Sequence, residues 1–175
     1  MNHDAVTLDM AERLGQALLR ARLRLATAES CTGGGLAYAL TAIPGSSQWF
    51  ERGFITYSNE AKQEMLSVPH DTLTTHGAVS EPTAASMAIG ALVHTPADVA
   101  VAITGIAGPD GGTAEKPVGT VCLGWARRGA ATRTASAVFQ GDRARIREQA
   151  ILTAIQGLLD LLGTDETPTP GITRG

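Results

Sequence analysis

The sequence predicts a single α/β domain, a three-layer α/β/α sandwich in which helices cover both faces of a mixed β-sheet. Helical segments alternate with short apolar runs over the first hundred residues, which is the pattern of strands joined by crossover helices. The run DVAVAIT at 98–104 is apolar almost throughout, as expected for a strand covered on both faces. Two β-rich runs then flank Arg127-Arg128-Gly129-Ala130, which predicts an antiparallel hairpin and therefore a mixed sheet.

The first half of the chain predicts alternating helices and strands. Apolar spacing indicates the first helix, and Ser58 or Asn59 is suited to cap the third. The predicted elements are, in order, a helix over 7–23, a strand over 24–29, a helix over 31–41, a strand over 53–57 and a helix over 60–66.

The second half begins with a loop marked by Pro69 and Gly77. Ser80 is a good N-cap for the next helix, whose first turn tolerates Pro82, and Asp142 can cap the last helix. The later elements are a helix from Ser80, strands over 98–104, 118–126 and 131–139, and a helix over 143–162. The domain therefore spans 1–162, and we expect the Pro-, Thr- and Gly-rich stretch at 163–175 to be a flexible tail.

Composition excludes several classes of protein. The formal net charge of −3 lacks the excess of basic residues that extended nucleic-acid binding requires. Two cysteines, Cys31 and Cys122, cannot form a disulfide framework, and no apolar run reaches the roughly 20 residues that cross a bilayer. No secretory signal is evident at the start of the chain. We therefore expect a cytoplasmic protein that binds no membrane.

The distribution of basic residues singles out two lysines. Of 14 basic residues only Lys62 and Lys116 are lysine, and genomic base composition explains the general preference for arginine. It does not explain the two exceptions. Because lysine can lose its proton in a suitable site and arginine effectively cannot, a retained lysine is a mild indication of a neutral-amine role.

The first candidate site is the junction Thr27-Ala28-Glu29-Ser30-Cys31-Thr32-Gly33-Gly34-Gly35, where a strand turns into a helix. Such a turn lifts a side chain out of the sheet, which makes Ser30 a candidate nucleophile. It also leaves backbone N–H groups that can bind an oxyanion, here those of Ser30, Cys31, Thr32, Gly33 and Gly34. Cys31 is a rival nucleophile, since a helix N-terminus lowers a thiol pKa. The purely structural alternative is a capped helix with closely packed glycines.

The second candidate is Tyr57 with Lys62 in the segment YSNEAK. Tyr57 ends a predicted strand and Lys62 lies about one helical turn into the next helix, so both can reach the sheet edge that carries Ser30. A neutral lysine, or a phenolate held near an ammonium, could activate a serine hydroxyl. The alternative is a half-buried tyrosine beside a solvated lysine.

The third candidate is the glycine-rich loop that begins at Thr104 and ends near Gly119. Such a loop lets the backbone approach a ligand, although it could equally be an ordinary connection. It matches neither the P-loop nor the dinucleotide-binding pattern. Arg143 could bind a phosphate or carboxylate, or could belong to a solvated helix face. The four histidines have no metal-ligand spacing, and we predict no metal site.

Five motifs together resemble the CinA C-terminal domain family. They are TAESCTGGGLA at 27–37, IPGSSQWFERGFITYSNEAKQEML at 43–66, HGAVSEP at 76–82, TGIAGPDGGTAEKPVGTV at 104–121 and GDR at 141–143. The stand-alone members of this family are nicotinamide-nucleotide amidohydrolases. The N-terminal domain of full-length competence-damage-inducible CinA proteins has no counterpart among these motifs.

The resemblance implies the fold, the reaction and its residues. It implies a three-layer sandwich that hydrolyses the carboxamide of nicotinamide mononucleotide to nicotinic acid mononucleotide and ammonia, a step of NAD metabolism. It carries the nucleophile over to Ser30 and the assisting groups to Tyr57 and Lys62. It implies no cofactor and a homo-oligomer, usually a dimer. Candidate phosphate-binding residues are Thr104, Gly105, Gly108, Gly111, Gly112 and Arg143, with Asp110 adding a negative charge nearby.

Two alternatives to a serine amidohydrolase stay open from the sequence. One is a thiol hydrolase based on Cys31, and the other is a nucleotide- or partner-binding module that has no turnover. The combined presence of Ser30, Tyr57 and Lys62 favours an enzyme, since a binding module would not need all three.

Overall fold

The computed structural model describes residues 5–163, and nearly all of the segment predicted to be a tail, 163–175, lies outside them. The predicted alternation of helices and strands is confirmed. The elements are α1 Ala5–Ala21, β1 Leu25–Glu29, α2 Gly35–Thr41, a 3₁₀ turn Ser46–Gln48, β2 Phe50–Ile55, α3 Asn59–Leu66, α4 His70–His76, α5 Glu81–Val93, β3 Val99–Gly105, β4 Thr120–Arg127, β5 Arg133–Val138 and α6 Arg143–Gly163.

The five strands form one mixed sheet in the order β2-β1-β3-β4-β5. Strand β1 is parallel to both β2 and β3, whereas β4 is antiparallel to β3 and β5 is antiparallel to β4. Glu29 at the end of β1 lies opposite Ile55 at the end of β2 and opposite Ile103 near the end of β3. The carboxyl ends of three parallel strands therefore share one sheet edge.

Two apolar cores on opposite faces of the sheet confirm the three-layer sandwich. Helices α1, α2 and α6 pack on one face, against a core that includes Val99, Val101 and Ile103 of β3. Helix α5 packs on the other face, whose core includes Ala100 and Ala102. Small residues on this second face let α5 approach closely.

Predicted helix caps agree with the structure. Ser58 accepts a hydrogen bond from the Ala61 N–H, and Ser80 accepts one from the Thr83 N–H. Asp142 likewise accepts from the Arg145 N–H at the start of α6. These caps fix where α3, α5 and α6 begin.

The strand predicted over 53–57 is Phe50–Ile55, so Tyr57 lies two residues beyond its end. Two further predictions were wrong for local reasons. Helix α2 begins at Gly35 and not near Cys31, because 31–34 form turns in which Gly33 and Gly34 have φ angles of 56° and 91°. The loop predicted around Pro69 and Gly77 contains helix α4. Pro69 precedes this helix and Gly77 ends it with a φ of 79°, so the two residues that indicated a loop mark the ends of a seven-residue helix.

Within residues 5–163 no helix is long and apolar enough to cross a membrane. The same part of the chain contains no cluster of three His, Cys, Asp or Glu side chains that could hold a metal ion.

Candidate active site

A cavity of about 290 Å³ opens at the shared carboxyl edge of β1, β2 and β3. It brings together segments that are far apart in sequence: the turn after β1, the start of α3, the loop after β3 and the start of α6. Its lining residues are Ser30, Cys31, Tyr57, Lys62, Ala78, Val79, Thr104, Gly105, Ile106, Ala107, Gly108, Asp110, Gly111 and Arg143. Thr32, Gly33, Gly34 and Gly112, also predicted to be site residues, do not line it.

Ser30 is held at the floor of this cavity by the sheet itself. Its backbone N–H donates to the Ile103 carbonyl of β3 at 2.9 Å, which extends the parallel pairing by one residue beyond β1. The side chain is 8% exposed, so the hydroxyl is nearly shielded from bulk water but still reaches the cavity.

Lys62 is a fully buried amine beside this hydroxyl. Its Nζ lies 3.1 Å from Ser30 Oγ and donates to the Thr56 carbonyl at 2.8 Å, with the Tyr57 carbonyl at 3.5 Å. The residue is only 1% exposed, and within residues 5–163 it forms no ion pair with a carboxylate. Burial lowers the pKa of the Lys62 amine below its usual 10.5, while the nearby Cys31 sulfur acts weakly in the opposite sense.

Cys31 also lines the cavity, but its sulfur is in the wrong ionisation state for attack. Burial raises the pKa of the Cys31 thiol to about 11, and the Cys31 backbone N–H and the cations Arg147 and Arg143 only partly offset this effect. The thiol therefore stays protonated at neutral pH, whereas the thiolate is the nucleophilic form.

The turn after Ser30 offers fewer free N–H groups than the sequence predicted. The Ser30 N–H is bound to Ile103, and the Gly33 N–H donates to the Ser30 carbonyl at 3.0 Å. The N–H groups of Cys31 and Thr32 donate to no oxygen acceptor in the described part of the chain. Of the five N–H groups in the predicted oxyanion set, these two have no acceptor, and only Cys31 of the two lines the cavity.

Glu29 has a structural role beside the site that the sequence reasoning did not single out. Its buried carboxylate accepts from the N–H groups of Gly34, Leu36 and Ala37 at 3.1, 3.0 and 2.9 Å. It thus removes Gly34 from the predicted oxyanion set and fixes the start of α2 against the end of β1. An acidic residue just before a predicted helix N-terminus is the sequence signal that could have indicated this role.

Tyr57 is less closely tied to Ser30 than predicted. Its hydroxyl accepts from Arg143 Nη2 at 3.1 Å, and only its backbone carbonyl approaches Lys62. The phenol forms no hydrogen bond with Ser30 or Lys62 in residues 5–163. Arg143 Nη1 also donates to the Gly108 carbonyl at 2.8 Å, so the phenol and the guanidinium form one unit on the cavity wall.

The glycine-rich loop also lines the cavity, and its predicted residues have different roles. The buried Thr104 hydroxyl donates to the Ala78 carbonyl at 2.8 Å, so its proton is already engaged. A Cβ on Gly105 would lie 2.7 Å from Val121, and one on Gly112 would lie 2.7 Å from the Val118 nitrogen. These two glycines are therefore required for backbone packing.

Lys116, the second of the two lysines, fastens this loop. Its Nζ donates to the His76 carbonyl at 2.9 Å, which joins the loop to the end of α4. Its backbone and that of Thr113 close a tight turn, since the Thr113 N–H donates to the Lys116 carbonyl at 2.8 Å. This lysine is a structural tie outside the cavity.

The fold and the cavity define a single α/β domain with a buried serine–lysine pair at a sheet edge. The chain belongs to the CinA C-terminal domain family, whose model matches residues 7–162. It is 53% identical over 155 residues to the nicotinamide-nucleotide amidohydrolase PncC of Escherichia coli K12, which covers 89% of this chain and 94% of the relative. The protein of the same name from Pseudomonas putida is 47% identical over 156 residues, covering 89% and 96%.

Solved structures give the same family. The competence/damage inducible protein CihA from Agrobacterium tumefaciens superposes with a TM-score of 0.90 at 45% identity, covering 92% of this chain and 98% of the other. The expected fold and family are therefore confirmed.

Proposed function

We propose that this protein hydrolyses the carboxamide of nicotinamide mononucleotide to nicotinic acid mononucleotide and ammonia, with Ser30 as the nucleophile and Lys62 as the base. The observation that carries the proposal is the buried Lys62 amine 3.1 Å from Ser30 Oγ at the floor of a cavity. The names of the full-length relatives from Escherichia coli and Pseudomonas putida support the substrate.

The contacts of Lys62 suit a neutral amine. Two N–H groups can donate to the Thr56 and Tyr57 carbonyls, which leaves the lone pair directed at the Ser30 hydroxyl. A serine hydroxyl is a weak nucleophile until a base takes its proton. As Oγ attacks the amide carbon, its proton passes to Lys62 and the carbonyl oxygen becomes an oxyanion. The N–H of Cys31, which lines the cavity and has no oxygen acceptor in residues 5–163, is the donor available to bind that oxyanion.

The same amine then serves as the acid. The Lys62 ammonium returns the proton to the departing nitrogen, the C–N bond breaks, and ammonia leaves an ester between Ser30 and the nicotinoyl group. A water molecule attacks this ester while Lys62 accepts its proton. When the tetrahedral intermediate collapses, the proton returns to Ser30 Oγ and the carboxylic acid is released. One water is consumed and every proton is accounted for.

Tyr57 and Arg143 have a different role in this proposal. The guanidinium is held by the Tyr57 phenol and the Gly108 carbonyl, both neutral acceptors, and no carboxylate within residues 5–163 forms an ion pair with it. A phosphate is the natural partner of such an arginine. We assign the substrate phosphate to Arg143, and Tyr57 orients that side chain. The family relationship also supports a cytoplasmic homo-oligomer, most simply a dimer.

The decisive experiment measures ammonia release by the purified protein from nicotinamide mononucleotide, nicotinamide riboside and nicotinamide. We expect turnover of the mononucleotide, and loss of at least a thousandfold in the Ser30→Ala variant. Cys31→Ala is the matched control on the neighbouring residue and should keep activity within a few-fold, because its thiol is protonated. Loss in the cysteine variant alone would instead support a thiol hydrolase. Binding of the mononucleotide without any ammonia release would overturn the proposal in favour of a binding module.

A further inference from the structure

Two unpaired charges of opposite sign line the candidate cavity. Arg143 is bound only by neutral acceptors, as described above. Asp110 lies in the glycine-rich loop, is exposed, and forms no hydrogen bond or ion pair with any other residue in 5–163. The two side chains form no ion pair with each other, so neither cancels the other within the cavity.

Apart from Asp110, the ionisable groups in and near the cavity lining do not place a free negative charge in the cavity. The Cys31 thiol is protonated at neutral pH because of its raised pKa. Glu29, next to Ser30 in sequence, is buried and already accepts three N–H groups, and Asp142, next to Arg143, accepts from the Arg145 N–H; neither lines the cavity. Asp110 is therefore the one carboxylate among the lining residues, and it faces the space that a substrate would occupy.

We propose that Asp110 is a specificity-determining residue that recognises the positive charge of an N-substituted pyridinium ring. This inference rests on the proposed function and deepens it. A cavity with one free cation and one free anion complements a molecule that carries both charges. Nicotinamide mononucleotide is such a molecule, since its ring nitrogen is quaternary and its phosphate is anionic. The reduced mononucleotide has the same ribose and phosphate, but its ring is neutral.

Two other roles for an exposed aspartate at this position make different predictions. If the carboxylate accepted hydrogen bonds from the ribose hydroxyls, it would favour the oxidised and the reduced mononucleotide equally. If it only repelled the phosphate, it would weaken both equally. Pairing with the ring cation alone makes the carboxylate distinguish the oxidised form from the reduced one. The ratio of the two dissociation constants therefore isolates this role.

The test uses calorimetric titration of both mononucleotides into the full-length Ser30→Ala protein, which cannot turn them over. The dissociation constants are compared with and without Asp110→Asn, which keeps the shape of the side chain and removes its charge. Glu115→Gln is the matched control, because it makes the same charge change in the same loop at a residue that does not line the cavity.

We expect Asp110→Asn to lower the preference for the oxidised over the reduced mononucleotide by about twofold to fivefold, the range for an exposed charge pair. Glu115→Gln should leave that ratio unchanged. An unchanged ratio in Asp110→Asn overturns the inference, whether both ligands bind more tightly or both bind more weakly. The proposed function is judged separately, by ammonia release from the wild-type protein, and a failure there would not depend on the ratio.

Discussion

The Ser30 hydroxyl oxygen lies 3.1 Å from the Lys62 amine nitrogen, and this contact connects the end of β1 to the first turns of α3. The two residues are 32 positions apart in the chain. They meet because β1 and β2 are adjacent and parallel, so the segments that follow both strands leave the sheet at the same edge. Ser58 then caps α3 and sets the angle at which Lys62 returns towards Ser30.

Replacing Lys62 tests whether a neutral amine is required. Lys62→Met removes the base, and Lys62→Arg keeps the positive charge in a group that effectively never loses its proton. We expect both variants to lose about 10²- to 10⁴-fold in kcat for ammonia release, the usual contribution of general-base catalysis. Nicotinamide mononucleotide should still bind to Lys62→Met in a calorimetric titration. If Lys62→Arg retained a large fraction of the activity, the role of the residue would be electrostatic and the proposed proton transfer would be wrong.

Replacing Tyr57 tests the role assigned to its phenol. Tyr57→Phe removes the hydrogen bond from Arg143 and leaves the backbone carbonyl that faces Lys62. We expect KM for the mononucleotide to rise by about three- to tenfold, the effect of losing about 1 kcal/mol, with kcat changed by less than about threefold. Tyr38→Phe is the matched control, because Tyr38 does not line the cavity. A hundredfold fall in kcat would instead show that the Tyr57 phenol takes part in the proton transfer, as the sequence predicted.

The sequence predicted the features that follow from the order of helices and strands along the chain. Three signals were sufficient to predict a mixed sheet with helices on both faces: the alternating elements, the apolar run of β3 and the final hairpin. Ser30 and Lys62 could be brought together from the sequence because each follows a strand of the same parallel pair. The resemblance to the family added the identity of the reaction, which spacing alone did not supply.

The remaining features depend on the directions of particular groups. Whether an N–H near Ser30 is free depends on where the Glu29 carboxylate points, and its position before a helix indicates a cap without showing which N–H groups it accepts from. The direction of the Tyr57 phenol depends on Arg143, which lies 86 residues later. Helix α4 was missed because proline and glycine occur both in loops and at helix ends, and here Pro69 and Gly77 mark the ends of a helix.

Glu29 gives a prediction about stability. In Glu29→Gln one side-chain oxygen can still accept, but the new amide group places a donor opposite N–H donors of the α2 N-terminus. At least one buried N–H then loses its acceptor, which costs about 1–3 kcal/mol of the free energy of unfolding. Urea unfolding of both proteins should show a lower midpoint with the same slope.

Glu60→Gln is the matched control, because Glu60 is an exposed acidic residue in the first turn of α3. It should change stability by less than about 0.5 kcal/mol. Equal effects of the two substitutions would mean that the three contacts of Glu29 contribute no more than a surface charge near a helix end.

The lowered pKa of Lys62 gives a prediction about pH. Because the folded protein releases this proton at lower pH than the unfolded chain does, the unfolded state binds more protons between the lowered pKa and 10.5. The free energy of unfolding contributed by Lys62 must therefore rise with pH across that window and level off above it. Cys31 and Cys122 act in the opposite sense, since burial raises their pKa values above 9.0 and the folded state keeps their protons longer.

The contribution of Lys62 is isolated by subtracting the Lys62→Met variant, in which both cysteines remain. Chemical denaturation of both proteins at a series of pH values from neutral to about 10 gives the difference in free energy of unfolding. That difference should shift in favour of the wild type as the pH rises, because the amine becomes neutral in the folded state first. The activity should rise as the pH passes the lowered pKa of Lys62 and level off above it, since the neutral amine is the proposed base. A difference that is flat, or that falls with pH, would show that Lys62 stays charged in the folded protein and would remove the base from the mechanism.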